Sequence, residues 1–161
     1  MRLQILENLY VIFPVRPYHK NIARSLLKEP KYYFYDVGDV DAGLGARLEN
    51  VVALALLKEI HFLEDNKGIR ASLHYLRDKD KNEVDFLVTI NGNPVLMVEV
   101  KESDDSFSKS LFHFLRFVPS TQTIQLVHKL KRRKSTREAS MMPLHDFLVE
   151  LDLEKHIQPE S

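Results

Sequence analysis

The chain contains no cysteine. A disulfide framework and a thiolate-held metal are therefore excluded, and the absence fits a reducing compartment. An excess of charge of one sign is also missing, because 23 lysines and arginines balance 23 aspartates and glutamates. Composition alone thus gives no argument for nucleic acid. No run approaches the ~20 apolar residues that span a bilayer. The first residues lack the basic stretch and apolar core of a signal peptide. These features lead us to expect a soluble, cytoplasmic protein with no membrane partner. There is no internal repeat and no low-complexity tract. The seven histidines form no His-x-x-x-His pair, and neither a zinc site nor a catalytic triad stands out.

What is present is enough apolar material for one domain: 44% of 161 residues are hydrophobic, which supports a real core. Residues 1–18 read as one or two short extended segments closed by Pro14 and Pro17. Residues 19–28 read as a short helix with Ile22, Leu26 and Leu27 inward. Tyr32 to Tyr35 is aromatic and strand-like. Residues 44–63 carry the strongest helix signal, since Val51 to Leu57 are all apolar and point to burial on most sides. Asp41 is the expected N-cap, and Asp65-Asn66-Lys67-Gly68 is the stop. Strands are expected at about 70–77, 84–90 and 94–101, a helix over 104–118, a strand over 123–127, and a strand, turn and short helix over 141–151. The order helix, three strands, helix, strand predicts an α/β or α+β fold with a mixed sheet between helices.

The chemistry concentrates on Glu49, Asp85, Glu99 and Lys101. A hairpin centred on Gly92 sets Asp85 against Glu99 and Glu83 against Lys101. Side chains two apart on a strand share a face, so two carboxylates and an ammonium meet at one end of the sheet. That register also puts Val84, Phe86, Val88 and Ile90 on one apolar face, with Leu96, Val98 and Val100. Asp85 and Glu99 fall on the other. Directly opposed side chains lie ~4.5–5.5 Å apart, and two carboxylates there repel by roughly 3 kcal/mol at an effective dielectric of about 20. A cation, a proton or open solvent must relieve this repulsion, and a divalent ion is the functional answer. Carboxylates suit Mg²⁺ or Mn²⁺, and Mg²⁺ takes only one or two of them while keeping waters. The Val100 carbonyl offers a further oxygen beside Asp85 and Glu99. Glu49 sits on the apolar stripe of Val52, Ala53, Leu56 and Ile60, where a carboxylate is costly unless paired or coordinated. Lys101 is placed to orient a water or to steady charge on a phosphate. The same spacing fits an ordinary structure: a Glu83–Lys101 ion pair, two acids ending their strands in water, and Glu49 in a solvated first turn.

The pattern of Glu49, Val84-Asp85 and Glu99-Val100-Lys101 resembles the PD-(D/E)XK (restriction endonuclease-like) nuclease superfamily, with Val84 where that motif has proline. The resemblance implies a restriction endonuclease-like core. It makes Asp85 and Glu99 ligands of Mg²⁺, Lys101 the catalytic lysine and Glu49 the helix-borne acid of phosphodiester hydrolysis. A narrower resemblance rests on Pro17-Tyr18-His19-Lys20-Asn21, Lys31 to Asp36, Arg47-Leu48-Glu49-Asn50 and Glu83-Val84-Asp85-Phe86. It is to a bacterial and archaeal domain of unknown function that ends predicted AAA-type ATPases after a winged-helix segment. Gly43-Leu44-Gly45-Ala46-Arg47 lacks the lysine and hydroxyl of a phosphate loop, so no ATPase activity is expected of this chain.

That resemblance divides the chain into residues 1–18 as the end of a preceding segment, 19–153 as the nuclease-like domain and 154–161 as a flexible tail. It implies a stand-alone or truncated relative of such ATPases. The expected function is Mg²⁺-dependent hydrolysis of DNA. The alternative is a non-catalytic accessory domain that binds DNA or a protein, with an ATPase as its partner. Lys129, Lys131, Arg132, Arg133, Lys134 and Arg137 form a basic run that reads either as a solvated loop or as a contact for phosphates. Exposed apolar residues near the N-terminus suggest a homodimer.

Overall fold

A computed structural model describes residues 2–20 and 28–157. The helix expected over 19–28 falls largely outside these residues. Eight strands form one mixed sheet in the order β2-β1-β3-β4-β5-β6-β8-β7. They are β1 (Ile12–Pro17), β2 (Lys31–Phe34), β3 (Ala71–Arg77), β4 (Glu83–Ile90), β5 (Asn93–Lys101), β6 (Gln122–Val127), β7 (Lys134–Ser135) and β8 (Ser140–Pro143). Four helices accompany them among the described residues: α1 (Arg2–Asn8), α2 (Leu44–Lys67), α3 (Lys109–Leu115) and α4 (Leu144–Glu150). The α/β class and the order helix, three strands, helix, strand are as expected. No helix among the described residues is long and apolar enough to cross a membrane.

The long helix α2 buries Val52, Ala53, Leu56, Ile60 and Leu63 against one face of the sheet, where Phe86, Val88, Leu96 and Val98 meet them. Gly68 ends it in the left-handed conformation (φ 64°), and its N–H returns to the Glu64 carbonyl. The helix starts from Gly43 rather than from an Asp41 cap. On the opposite face Leu111, Phe114 and Leu115 of α3 cover Leu87 and Met97. That helix is shorter than residues 104–118, because the fully buried Gln125 side chain holds residues 104–108 as a loop. Residues 2–8 are helical, not extended. They bury no side chain, so their apolar content does not reflect a strand in the sheet. Residues 12–17 are extended, and β1 lies between β2 and β3. At the far end a 3₁₀ turn, Leu153–His156, buries Leu153 against the main core.

The β4–β5 hairpin turns at Asn91-Gly92, with its centre between these two residues and not on Gly92 as expected. Asn91 and Gly92 both have positive φ (51° and 81°), which is what a two-residue type I′ turn requires. Beyond the turn the register is Leu87↔Met97 and Phe86↔Val98, the pairing read from the sequence. Two bulges were not visible there. One shifts the β4–β5 register between Val88 and Thr89. The other lies at the acidic end. Between His74↔Leu87 and Leu76↔Val84, Tyr75 alone faces both Asp85 and Phe86. This extra residue turns Val84 to the α3 side, with Leu87 and Met97. The expected face of Val84 with Phe86 is therefore corrected: the bulge breaks the two-residue alternation between them.

Candidate functional site

The acids gather where the hairpin stops pairing. The β4–β5 ladder reaches Phe86↔Val98, and beyond it side chains take over the backbone donors. The Val100 N–H donates to Asp85 Oδ2 at 2.8 Å, and the Asp85 N–H donates to Glu99 Oε2 at 3.3 Å. Each acid thus satisfies the opposite strand. Lys101 Nζ lies 2.8 Å from Glu99 Oε1. Glu99 is almost fully buried, whereas Lys101 is half-buried.

Asp85 keeps some exposed surface as a residue, but protein crowds its carboxyl group. Burial pushes that carboxyl well above the ordinary aspartate range. The Glu99 and Glu49 charges push it further, against the Val100 N–H and Lys31. Burial also works against the Lys101 charge, but the hydrogen bond and charge of Glu99 outweigh it and hold Lys101 above its ordinary value.

Glu49 belongs to a second group. Asn50 exchanges two hydrogen bonds with the Phe34 backbone (2.8 and 2.9 Å) and so ties α2 to β2. This brings the Tyr33 hydroxyl to Glu49 Oε1 at 2.5 Å and Lys31 Nζ to 3.6 Å from the same oxygen. Lys31 also pairs with Glu83, whose other oxygen takes Arg77 Nε at 2.6 Å. The expected Glu83–Lys101 pair does not form. The bulge and the end of the ladder separate the two residues, and each has a nearer partner.

Burial raises the Glu83 carboxyl, but Lys31 and Arg77 outweigh it and hold that group below its ordinary value. Burial pushes the Tyr33 hydroxyl strongly up, and the charge of Glu49 adds to this, so Tyr33 remains a proton donor. Sequence reasoning did not place Lys31 or Tyr33 beside Glu49, and it read the Tyr32 to Tyr35 run as a core strand in preference to a surface for stacking bases. Both lie on a strand whose aromatic run reads as core.

Among the described residues, no three histidine, aspartate or glutamate side chains gather closely enough to hold a metal ion. Two do meet, Asp85 and Glu99. A pair of oxygen-donor carboxylates fits a hydrated Mg²⁺, which needs no larger protein set. Val100 lies beside Asp85 through its N–H and is in register with Leu126.

The basic run starts at the same end of the sheet, since the His128 and Lys129 N–H groups donate to the Lys101 and Glu102 carbonyls (both 3.0 Å). Three of its cations are engaged: Lys129 with Glu102, Arg133 with Asp146 and Glu150, and Lys134 with Asp105. Lys131, Arg132 and Arg137 are exposed. Another residue missed by sequence reasoning is Gln125, which is in register with Glu99. It accepts from the Ser108 N–H and donates to the Ser106 carbonyl, both at 2.8 Å. A lone amide inside the apolar strand Thr123–Val127 was its one signal.

The chain belongs to the family described as Domain of unknown function (DUF4143), whose model matches residues 44–147. A second model, Domain of unknown function (DUF8612), matches residues 2–50. The two matches overlap at Glu49. The first also spans Glu83, Asp85, Glu99 and Lys101, and the second spans Lys31 and Tyr33. No curated protein and no solved structure matches the chain.

Proposed function

We propose that this domain is a PD-(D/E)XK nuclease-like domain that hydrolyses phosphodiester bonds of DNA with Mg²⁺, and that it serves an AAA-type ATPase system. One observation carries the reading. Asp85 and Glu99, distant in sequence, meet at the open end of the hairpin with the Lys101 ammonium 2.8 Å from Glu99. The order helix, three strands, helix, strand around them is the core of that superfamily.

When bound, Mg²⁺ would supply a polarised phosphate oxygen and an acidified water. The chain's own groups do the rest. Asp85 and Glu99 offer the oxygen ligands. Lys101 holds Glu99 in place and presents a positive charge to the phosphate as negative charge grows there. Glu49, fixed by Tyr33 and Lys31, keeps a carboxylate beside the helix start. Lys131, Arg132 and Arg137, exposed and in no ion pair among the described residues, supply cations for the phosphate backbone.

Nicking of supercoiled plasmid with Mn²⁺ tests the reading. Lys101→Ala should lower the rate about 100-fold or more, the usual scale for losing one charge-stabilising group. Equal nicking by wild type and variant rejects it.

A second reading is supported by the partners the acids already have: Lys101 for Glu99, Tyr33 and Lys31 for Glu49, and a backbone N–H for Asp85. On that reading the cluster is a clasp in a non-catalytic module that binds DNA or a protein. A melting temperature unmoved by millimolar Mg²⁺ or Mn²⁺ favours it.

A further inference from the structure

Large apolar side chains stand exposed at the start of the chain and beside β2: Leu3, Ile5, Leu9, Tyr10 and Tyr35. Leu3 and Ile5 lie on α1, and Leu9 and Tyr10 directly follow it. This helix buries none of its seven residues, and only Leu6 and Glu7 are half-buried. A helix that short is marginal in water without tertiary packing, so its outward face lacks the cover that would hold it. Tyr10 takes the left-handed conformation (φ 55°) in which a helix end usually carries glycine, yet its ring is 76% exposed. That ring meets Tyr35 edge-on with 6.1 Å between centroids, which joins α1 to the end of β2.

The border of this apolar face is acidic. Asp36, Asp39 and Asp41 follow Tyr35 around the 3₁₀ turn Val37–Asp39, all exposed and in no ion pair among the described residues. Arg47 sits on the same turn, where its Nε donates to the Val40 carbonyl at 3.1 Å, and Arg2 opens α1. Apolar patches rimmed by polar residues mark interaction surfaces.

We propose that α1 and Tyr35 form a docking surface for a basic amphipathic helix of another protein. The partner's apolar stripe covers Ile5, Leu9 and Tyr10, and its lysines or arginines meet Asp36, Asp39 and Asp41. The charge decides between occupants. In a two-fold dimer the same patch meets itself, so the three aspartates would be brought against those of the second copy, and like charges across an interface are costly. A partner with basic flanks turns the same acids into an attraction. None of these residues belongs to the Asp85 and Glu99 cluster, so the surface adds an interaction that hydrolysis does not need.

Two synthetic helical peptides test this by fluorescence anisotropy with the full chain. They share one leucine pattern, flanked by lysines in one and by glutamates in the other. The lysine peptide should bind about tenfold or more tightly than the glutamate peptide. Ile5→Ser/Leu9→Ser should weaken its binding about tenfold, and Asp39→Lys/Asp41→Lys should reverse the preference between the peptides. Equal binding of the two peptides, or full affinity in both variants, overturns the proposal. If Ile5→Ser/Leu9→Ser loses its melting transition, Asp39→Lys/Asp41→Lys, which alters only exposed side chains, decides alone. In sedimentation the wild type should be a monomer. A dimer that Ile5→Ser/Leu9→Ser splits gives the face to a second copy and overturns the proposal as well.

Discussion

Glu83 and Asp85 lie two residues apart on one strand, yet their surroundings drive their ionisation in opposite directions. Glu83 belongs to the β2–α2 half of the cluster, where burial works against its charge but Lys31 and Arg77 hold the carboxylate ionised. Asp85 belongs to the hairpin half, where burial raises the carboxyl and the Glu99 and Glu49 charges raise it further. What separates the halves is whether another element delivers a fixed cation to the carboxylate. The β2–α2 half has its cations built in and works as a clasp between strand, helix and sheet. In the hairpin half no ion pair reaches Asp85 among the described residues, and it is the half to which the proposed function assigns a bound ion.

The sharpest way to break this comparison is Asp85→Asn, which keeps an oxygen for the Val100 N–H but removes the charge. It should abolish any Mg²⁺-induced rise in melting temperature. The same change should stabilise the metal-free protein by about 1–3 kcal/mol, since like-charge repulsion and burial of charge both disappear. Chemical denaturation with and without Mg²⁺ reads both effects, and an equal Mg²⁺ response in wild type and variant removes Asp85 from the site.

A change of similar size is expected on the other side of Glu99. Gln125→Ala leaves the Ser108 N–H and Ser106 carbonyl without their partner. It should cost about 2–4 kcal/mol in urea unfolding, as expected for two orphaned backbone groups. A loss under 1 kcal/mol means that water replaces the amide.

Titration of stability with pH sharpens the contrast between the two acids. Asp85 has a raised folded value, so its contribution is fully present below the ordinary 3.8 and is lost as pH rises through the folded value. Glu83 has a lowered one, so its contribution is present above the ordinary 4.5 and is lost as pH falls through the folded value. Asp85→Asn should therefore match wild type in acid and exceed it increasingly towards neutral pH. Glu83→Gln should also approach wild type in acid but fall below it at neutral pH. Parallel curves for the two variants would erase the distinction between the halves.

The smallest effect belongs to the basic run. Lys131 has no ion pair among the described residues, so Lys131→Ala should leave stability within about 0.5 kcal/mol of wild type. If the run contacts DNA, the same change lowers the salt slope of binding by about 1. Fluorescence anisotropy across a salt series measures it, and an unchanged slope makes Lys131 a bystander.

Much of the fold was legible because its signals are local. The apolar run Val51–Leu57 marked α2 and Asn91-Gly92 marked the turn, but the register that sets Asp85 beside Glu99 also needs the one-residue shift between Val88 and Thr89, which carries no local signal. The helix at residues 2–8 was misread because apolar content without clear periodicity does not separate helix from strand. The bulge opposite Tyr75 has no local mark either. It arises from how β3 and β4 fit together, and it decides where Val84 and Glu83 point. Lys31 and Tyr33 reach Glu49 only because Asn50 pins α2 to β2.

The amino-acid order by itself determined the helix–strand succession and the hairpin, since each follows from backbone periodicity or a turn only a few residues long. Tertiary structure alone decided which carboxylates received a cation. That choice depends on elements far apart in the chain coming within 4 Å of one another, and distances of that kind are set by packing.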